Sequence, residues 1–85
     1  MPFACTVLTP ERVAFEGRVD SAVLPAHDGL MGILPGHADF LGALGTGRAQ
    51  LRIPGAPEKI LSVRGGFLRV SGGALTVLAE EASAS

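Results

Sequence analysis

The side chains best suited to chemistry lie in the first half of the chain: Cys5, His27, Asp28 and His37. Histidines and carboxylates bind metals or transfer protons, and a thiolate is a nucleophile. Two histidines ten positions apart, however, match no zinc-binding spacing and lack a third ligand. A small ligand- or metal-binding site that uses His27, Asp28 and His37 is therefore kept as the alternative interpretation.

Cys5 is the one cysteine, so it forms no disulfide within the chain and fits a reducing compartment. It lies in the middle of residues 3–8, a segment in which Phe3, Cys5 and Val7 alternate with three other residues. This period of two places the thiol on one face of a strand together with two apolar side chains. We expect Cys5 to be buried and inert, and not the nucleophile of a pair with His37.

Length and composition indicate one small, apolar domain. The chain has 85 residues, of which 47% are hydrophobic and 18% charged, and its formal net charge is −1. An average domain is about 25% charged, so we expect some apolar surface to remain for a partner. The Lys and Arg residues are scattered, which argues against nucleic acid as a partner. No apolar run approaches the ~20 residues of a membrane-spanning helix and no leader is recognisable, so we expect a cytoplasmic protein.

The remaining elements are organised around residues 28–41, where two turn pairs enclose a short apolar segment. Asp28-Gly29 is typical of a residue pair that closes a hairpin. Pro35-Gly36 is typical of a type II turn, because proline fixes φ at its first position and glycine accepts a positive φ at its second. His37 therefore follows a stiff corner, where its imidazole either contacts a partner or stabilises the corner through hydrogen bonds.

Short alternating segments between turn residues predict an all-β fold, a two-sheet β-sandwich or flattened barrel of about ten short strands. The strand candidates are 3–8, 13–15, 19–24, 30–34, 40–44, 48–53, 59–64, 67–70 and 74–79, with Gly17 as a bend or bulge and Gly65-Gly66 as a separator. The alternation predicts a core of Leu51, Ile53, Leu61, Val63, Leu68, Val70, Leu75 and Val77. Residues 1–79 would form the domain and residues 80–85 a polar tail that frays.

Three sequence motifs carry a resemblance to a known family. Gly-Ile-Leu-Pro-Gly-His-Ala at 32–38, Gly-Gly-Phe-Leu-Arg-Val at 65–70 and Thr-Val-Leu-Ala at 76–79 resemble the amino-terminal domain of the epsilon subunit of F-type ATP synthase. The segments 7–11 and 15–17 fit the same pattern, so the resemblance covers nearly the whole chain. It implies a sandwich of two five-stranded sheets. Leu30 and Asp39 depart from the family pattern, which more often has an acidic residue and a proline there.

The resemblance also implies a function. The domain would be a non-catalytic, cofactor-free part of the rotor that binds the gamma subunit and the c-ring and couples proton flow to ATP synthesis. It would lie at the cytoplasmic face of the inner (plasma) membrane and reach the membrane only through the complex. Family members usually continue into a helical hairpin that can bind ATP. This carboxy-terminal helical domain is absent from the sequence, so we expect no ATP binding by this chain.

The residues predicted to bind gamma and the c-ring belong to the turn pairs and the apolar segment around them. They are Asp28, Gly29, Leu30, Met31, Pro35, Gly36, His37 and Leu41. Apolar residues of the same stretch, Met31, Leu34, Phe40 and Leu41, are expected to be mostly core, with one or two exposed at its rim.

Overall fold

Eight β-strands and no helix make up the protein in a computed structural model that describes residues 1–85. The strands are β1 (Phe3–Leu8), β2 (Val13–Val19), β3 (Ser21–Ala26), β4 (Gly29–Ile33), β5 (Phe40–Ala43), β6 (Thr46–Arg52), β7 (Lys59–Ser71) and β8 (Ala74–Ala84). No helix long and apolar enough to cross a membrane is present. The all-β prediction is confirmed.

The strand pairings divide the fold into two five-stranded sheets. The first sheet has the order β4-β3-β6, followed by residues 59–64 of β7 and 81–84 of β8. The second has the order β5, residues 66–71 of β7, residues 74–79 of β8, β1 and β2. All pairings are antiparallel except β1 with β8. Because β7 and β8 each contribute to both sheets, eight continuous strands supply ten strand segments, close to the predicted number.

The two sheets are joined at Gly65-Gly66, which is a kink within β7 and not the predicted separator between two strands. Both glycines have positive φ, 62° and 111°. Across the kink the amide of Leu44 donates to the carbonyl oxygen of Gly66 at 2.9 Å, and the amide of Gly65 donates to that of Gly45 at 3.2 Å. The β7–β8 register is the same on both sides of the kink. The glycines therefore let one strand turn from one sheet into the other without losing its partner.

One hydrophobic core of 18 buried residues fills the space between the sheets. Seven of the eight predicted core residues are buried in it; Ile53, which follows the end of β6, is half-buried and packs against it. The pleat explains this success, because alternate side chains of a strand point to opposite faces of the sheet.

Three predictions about the strands are wrong. Gly17 is no bend: β2 runs straight through it, and the break before β3 falls at Asp20. Residues 80–85 are not a fraying tail, since β8 continues to Ala84 and pairs with β7, and Ala82 is buried. The apolar residues around the corner are not mostly core, because three of the four are exposed: Leu34 is 63%, Phe40 36% and Leu41 70% exposed.

Candidate functional site

The turn at Pro35-Gly36 has the predicted conformation. Gly36 has φ 81°, and the amide of His37 donates to the carbonyl oxygen of Leu34 at 3.1 Å, as in a type II turn. The imidazole of His37 is half-buried, and its Nδ1 donates to the carbonyl oxygen of Ala38 at 2.7 Å. Its ring meets that of Phe40 edge-on, with centroids 6.4 Å apart. These contacts hold the imidazole of His37 in place within this corner, defined as residues 34–39.

Asp39 connects the corner to the second sheet. Its Oδ1 accepts a hydrogen bond of 3.1 Å from the amide of Gly72, in the two-residue turn between β7 and β8. Gly72 and Gly73 both have positive φ, 58° and 80°, which is type I′ hairpin geometry. The corner is thus tied to a second tight turn, although this chain has Asp39 where proline is expected from the resemblance.

The second turn pair lies at the other end of β4. His27 and Asp28 form the turn between β3 and β4, and Gly29, with φ 139°, is the first residue of β4. Since a five-residue strand is roughly 17 Å long, this hairpin tip and the corner are separate places. The alternative site at His27, Asp28 and His37 is therefore not assembled. No group of three His, Cys, Asp or Glu side chains is placed to hold a metal ion.

The predicted contact residues are consequently brought together only in part. Asp28, Gly29 and Leu30 are exposed at the hairpin tip, and Leu30 is 75% exposed. Pro35 and Gly36 are exposed at the corner. Met31 faces inward and packs against the core, whereas Leu41 lies on the outer side of β5.

The outer side of the second sheet carries an apolar surface that was not predicted from the sequence. One row of paired residues crosses all five strands and is apolar throughout: Ala43, Phe67, Leu78, Leu8 and Val13. Phe67, Leu78 and Val13 are 57%, 49% and 53% exposed. Leu41 lies one row away on the same side. These six residues are called the apolar face.

Two adjoining hollows follow this face. The larger, of about 530 Å³, is lined by residues that include Leu8, Val13 and the kink glycine Gly66. The other, of about 500 Å³, includes Leu41 and is continuous with the first through Phe67 and Leu78, which line both. A smaller hollow beside Leu41 extends to Asp39. The apolar face is therefore continuous with the corner, and Leu41 joins them.

The outer side of the first sheet is polar by contrast. Its exposed strand residues include Arg48, Gln50, Arg52, Ser62 and Arg64. Arg64 makes the only ion pairs of the chain, at 3.5 Å with Glu80 and at 3.1 Å with Glu81. A hydrogen bond from Arg64 lowers the pKa of the Glu81 carboxyl. On β6 and on residues 59–64 of β7 this side is mostly polar, as expected for a sheet face in water, whereas the apolar row of the second sheet crosses all five strands.

Comparison with known proteins identifies the family. The family model described as the beta-sandwich domain of the ATP synthase delta/epsilon chain matches residues 2–85. The chain belongs to this family. The ATP synthase epsilon chain of Parvibaculum lavamentivorans is 45% identical over 74 residues, which are 87% of this chain and 56% of that relative. The epsilon chain of Chlorobaculum tepidum is 36% identical over 81 residues, 95% of this chain and 92% of the relative.

Solved structures show the same fold. A chain in the cryo-EM structure of the Euglena gracilis mitochondrial ATP synthase (OSCP/F1/c-ring) superimposes with a TM-score of 0.90 at 21% identity, over 98% of this chain and 53% of that one. A chain in the Tetrahymena thermophila mitochondrial ATP synthase central stalk/c-ring structure gives 0.80 at 12% identity, over 99% and 67%. At such identities the likeness concerns the fold alone.

The cysteine of this delta/epsilon-type domain has the predicted character. Cys5 is 1% exposed, and burial raises the pKa of its thiol to about 12. A thiol that stays protonated near neutral pH is a poor nucleophile. Its partner in the rejected catalytic pair, His37, is engaged in the corner.

A signal for the apolar face was present in the sequence. In β8 the outward positions are Ala74, Thr76 and Leu78, and in β7 Phe67 lies on the same side as Arg69. Large apolar residues on both faces of a strand indicate that both are covered. Pairing between distant strands then determines that these residues become neighbours.

Proposed function

We propose that this chain is a non-catalytic subunit of the central stalk, the rotor, of a proton-translocating F-type ATP synthase. In this role it binds the gamma subunit and the c-ring and couples proton flow to ATP synthesis. Membership of the delta/epsilon family supports the proposal, as does the likeness of the fold to a chain from a central stalk/c-ring structure. The chain spans 56% of the length of the Parvibaculum relative.

The observation that carries the proposal is the apolar face. A soluble domain leaves scattered apolar residues exposed, whereas a contiguous row across five strands marks a binding surface. At about 4.8 Å between strands the row is roughly 19 Å long, enough to form the apolar centre of a protein interface. Thr6, Thr76, Arg69 and Glu16 form the neighbouring row and supply a more polar border. We assign this face to the gamma subunit.

Asp28, Gly29, Leu30, Met31, Pro35, Gly36, His37 and Leu41 remain the proposed contacts with gamma and the c-ring. Leu41 belongs to the apolar face, and the corner adjoins that face through Asp39. Exposed Leu30 and Leu34 at the two ends of β4 supply apolar contacts for further partner loops.

Stiffness suits a part that transmits rotation. Hydrogen bonds at Leu34–His37, His37–Ala38 and Asp39–Gly72 hold the corner before any partner arrives. A surface that is already ordered loses little conformational entropy on docking. A rigid sandwich between gamma and the c-ring would then move with both as one body.

The distribution of reactive groups also supports a non-catalytic role. The thiol of Cys5 is in the core, His27 and Asp28 are at the hairpin tip, and His37 is in the corner. No nucleophile, base and orienting group share one site, as covalent catalysis would require. We infer that the chain lies peripherally at the cytoplasmic face of the membrane and contacts it through its partners.

A binding measurement with the cognate gamma subunit tests the proposal. Wild-type chain should bind gamma, and Leu78→Glu should weaken binding at least tenfold because it places a charge in the centre of the face. Ser62→Glu is the matched control, since Ser62 is an exposed residue on the outer side of the first sheet. Melting curves should be similar for all three. Failure of the wild-type chain to bind gamma, or equal binding by Leu78→Glu, would contradict the proposal.

A further inference from the structure

Arg69 lies beside the middle of the apolar face, on a central strand of the second sheet. It lies between Leu41 on β5 and Thr76 on β8, its direct cross-strand neighbours, and next to the apolar row. It is the only charged residue lining the hollow of about 500 Å³ and also lines the smaller hollow beside the corner. The other charged residues of this side lie at its borders: Glu16 and Arg18 are on the edge strand β2, and Arg12 and Glu80 line the larger hollow.

The guanidinium of Arg69 has no partner within the chain. The ion pairs of the protein all involve Arg64, and the other arginine hydrogen bonds are those of Arg12 and Arg18 to backbone carbonyl oxygens. Asp39 is the one carboxylate that lines the small hollow with Arg69; it accepts the Gly72 amide and forms no ion pair. Arg69 is therefore free to bind an external acceptor.

A partner that covers the apolar face also covers Arg69 and removes water from it. Removing water from a guanidinium that has no hydrogen-bond acceptor costs much free energy. Two parallel hydrogen bonds to a carboxylate compensate for the lost water. Arginine is also among the residues most often found at the centre of binding energy in interfaces. We propose that Arg69 determines the specificity of this face, and that the gamma subunit presents an Asp or Glu carboxylate opposite it. This inference rests on the proposed function.

The experiment compares Arg69 with a matched arginine on the other sheet. Arg48 is exposed on the outer side of the first sheet. The sheets of a sandwich are about 10 Å apart, beyond the ~8 Å Debye length at physiological salt, so a charge at Arg48 is screened from the apolar face. Affinity for the cognate gamma subunit would be measured for wild type, Arg69→Ala, Arg69→Glu, Arg69→Lys and Arg48→Glu, together with melting curves.

Arg69→Ala should lower the affinity by about 30-fold, which is the lower end of the range for removing one partner of a charge pair buried in an interface. Arg69→Glu should lower it further, Arg69→Lys should retain part of it, and Arg48→Glu should stay within about threefold of wild type. One acidic-to-lysine substitution in gamma should restore binding to Arg69→Glu, which a purely structural role cannot explain. If wild type binds and Arg69→Ala and Arg69→Glu bind within threefold of it, this inference is wrong and the proposed function survives. If wild type does not bind, both fail.

Discussion

Replacement of Gly66 by alanine should be among the most damaging single changes in the domain, because Gly66 lies at the kink that joins the two sheets. A Cβ at Gly66 would lie 1.9 Å from the carbonyl oxygen of Leu78 and 2.9 Å from its carbon. Real Cβ atoms almost never approach closer than 3.0 Å, and both contacts are backbone, so the β7–β8 ladder must move by about 1 Å or more. The φ of 111° adds strain of about 1–3 kcal/mol for any residue with a side chain.

These terms give a rough magnitude. Strain of about 1–3 kcal/mol, together with two or three ladder hydrogen bonds at about 1 kcal/mol each, predicts a loss of about 3–6 kcal/mol. A domain of 85 residues has a free energy of unfolding of about 4–13 kcal/mol in total. Gly66→Ala should therefore lose a large share of the free energy of unfolding of the domain.

Urea denaturation followed by circular dichroism measures this loss. Gly72→Ala is the control, because Gly72 also has a positive φ, 58°, but a Cβ there meets nothing within 4 Å. That variant should lose only about 1–2 kcal/mol, the cost of left-handed backbone. If Gly66→Ala unfolds within 1 kcal/mol of Gly72→Ala, the kink does not constrain the sandwich as described.

Three further predictions concern the core, the thiol and the corner. Leu68→Ala, at a fully buried position, should lower the free energy of unfolding by about 2–5 kcal/mol in urea titrations, and a smaller loss than for half-exposed Leu78→Ala would contradict the assigned core. Cys5 should resist a thiol reagent in the native protein at pH 8. Rapid labelling of the native protein would contradict the burial of Cys5. Burial raises the pKa of the folded thiol to about 12, so only the unfolded thiol ionises between about pH 9 and 12. The free energy of unfolding of wild type should therefore fall relative to that of Cys5→Ala as the pH rises through this range. His37→Ala should weaken gamma binding in pull-down assays with little change in melting temperature, and Pro35→Gly should do so through a looser corner; a lower melting temperature with unchanged affinity would show that His37 only stabilises the corner.

The inner half of the fold could be predicted because it depends on local alternation. In β7, for example, Leu61, Val63, Leu68 and Val70 point inward and their neighbours outward, as the pleat requires. The same reasoning found the Pro35-Gly36 turn, whose geometry depends on its own two residues. Where the chain ends a strand is less local: β8 continues beyond residue 79 because its partner β7 is there to receive it.

The apolar face could not be predicted in the same way, because it depends on pairings between distant segments. Leu8 and Leu78 become neighbours only through the parallel pairing of β1 with β8, and Phe67 joins them through β7. For the same reason the sequence alone predicts one contact region at residues 28–41. The length of β4 separates the hairpin tip from the corner.

Cross-linking within the assembled complex tests most directly whether the apolar face meets gamma. A maleimide photo-cross-linker would be attached to Leu78→Cys or, as the control on the first sheet, to Ser62→Cys; the single native thiol, Cys5, is buried and does not compete. If the apolar face contacts gamma, position 78 should cross-link to gamma and position 62 should not. Cross-links to gamma from position 62 with none from position 78 would contradict it.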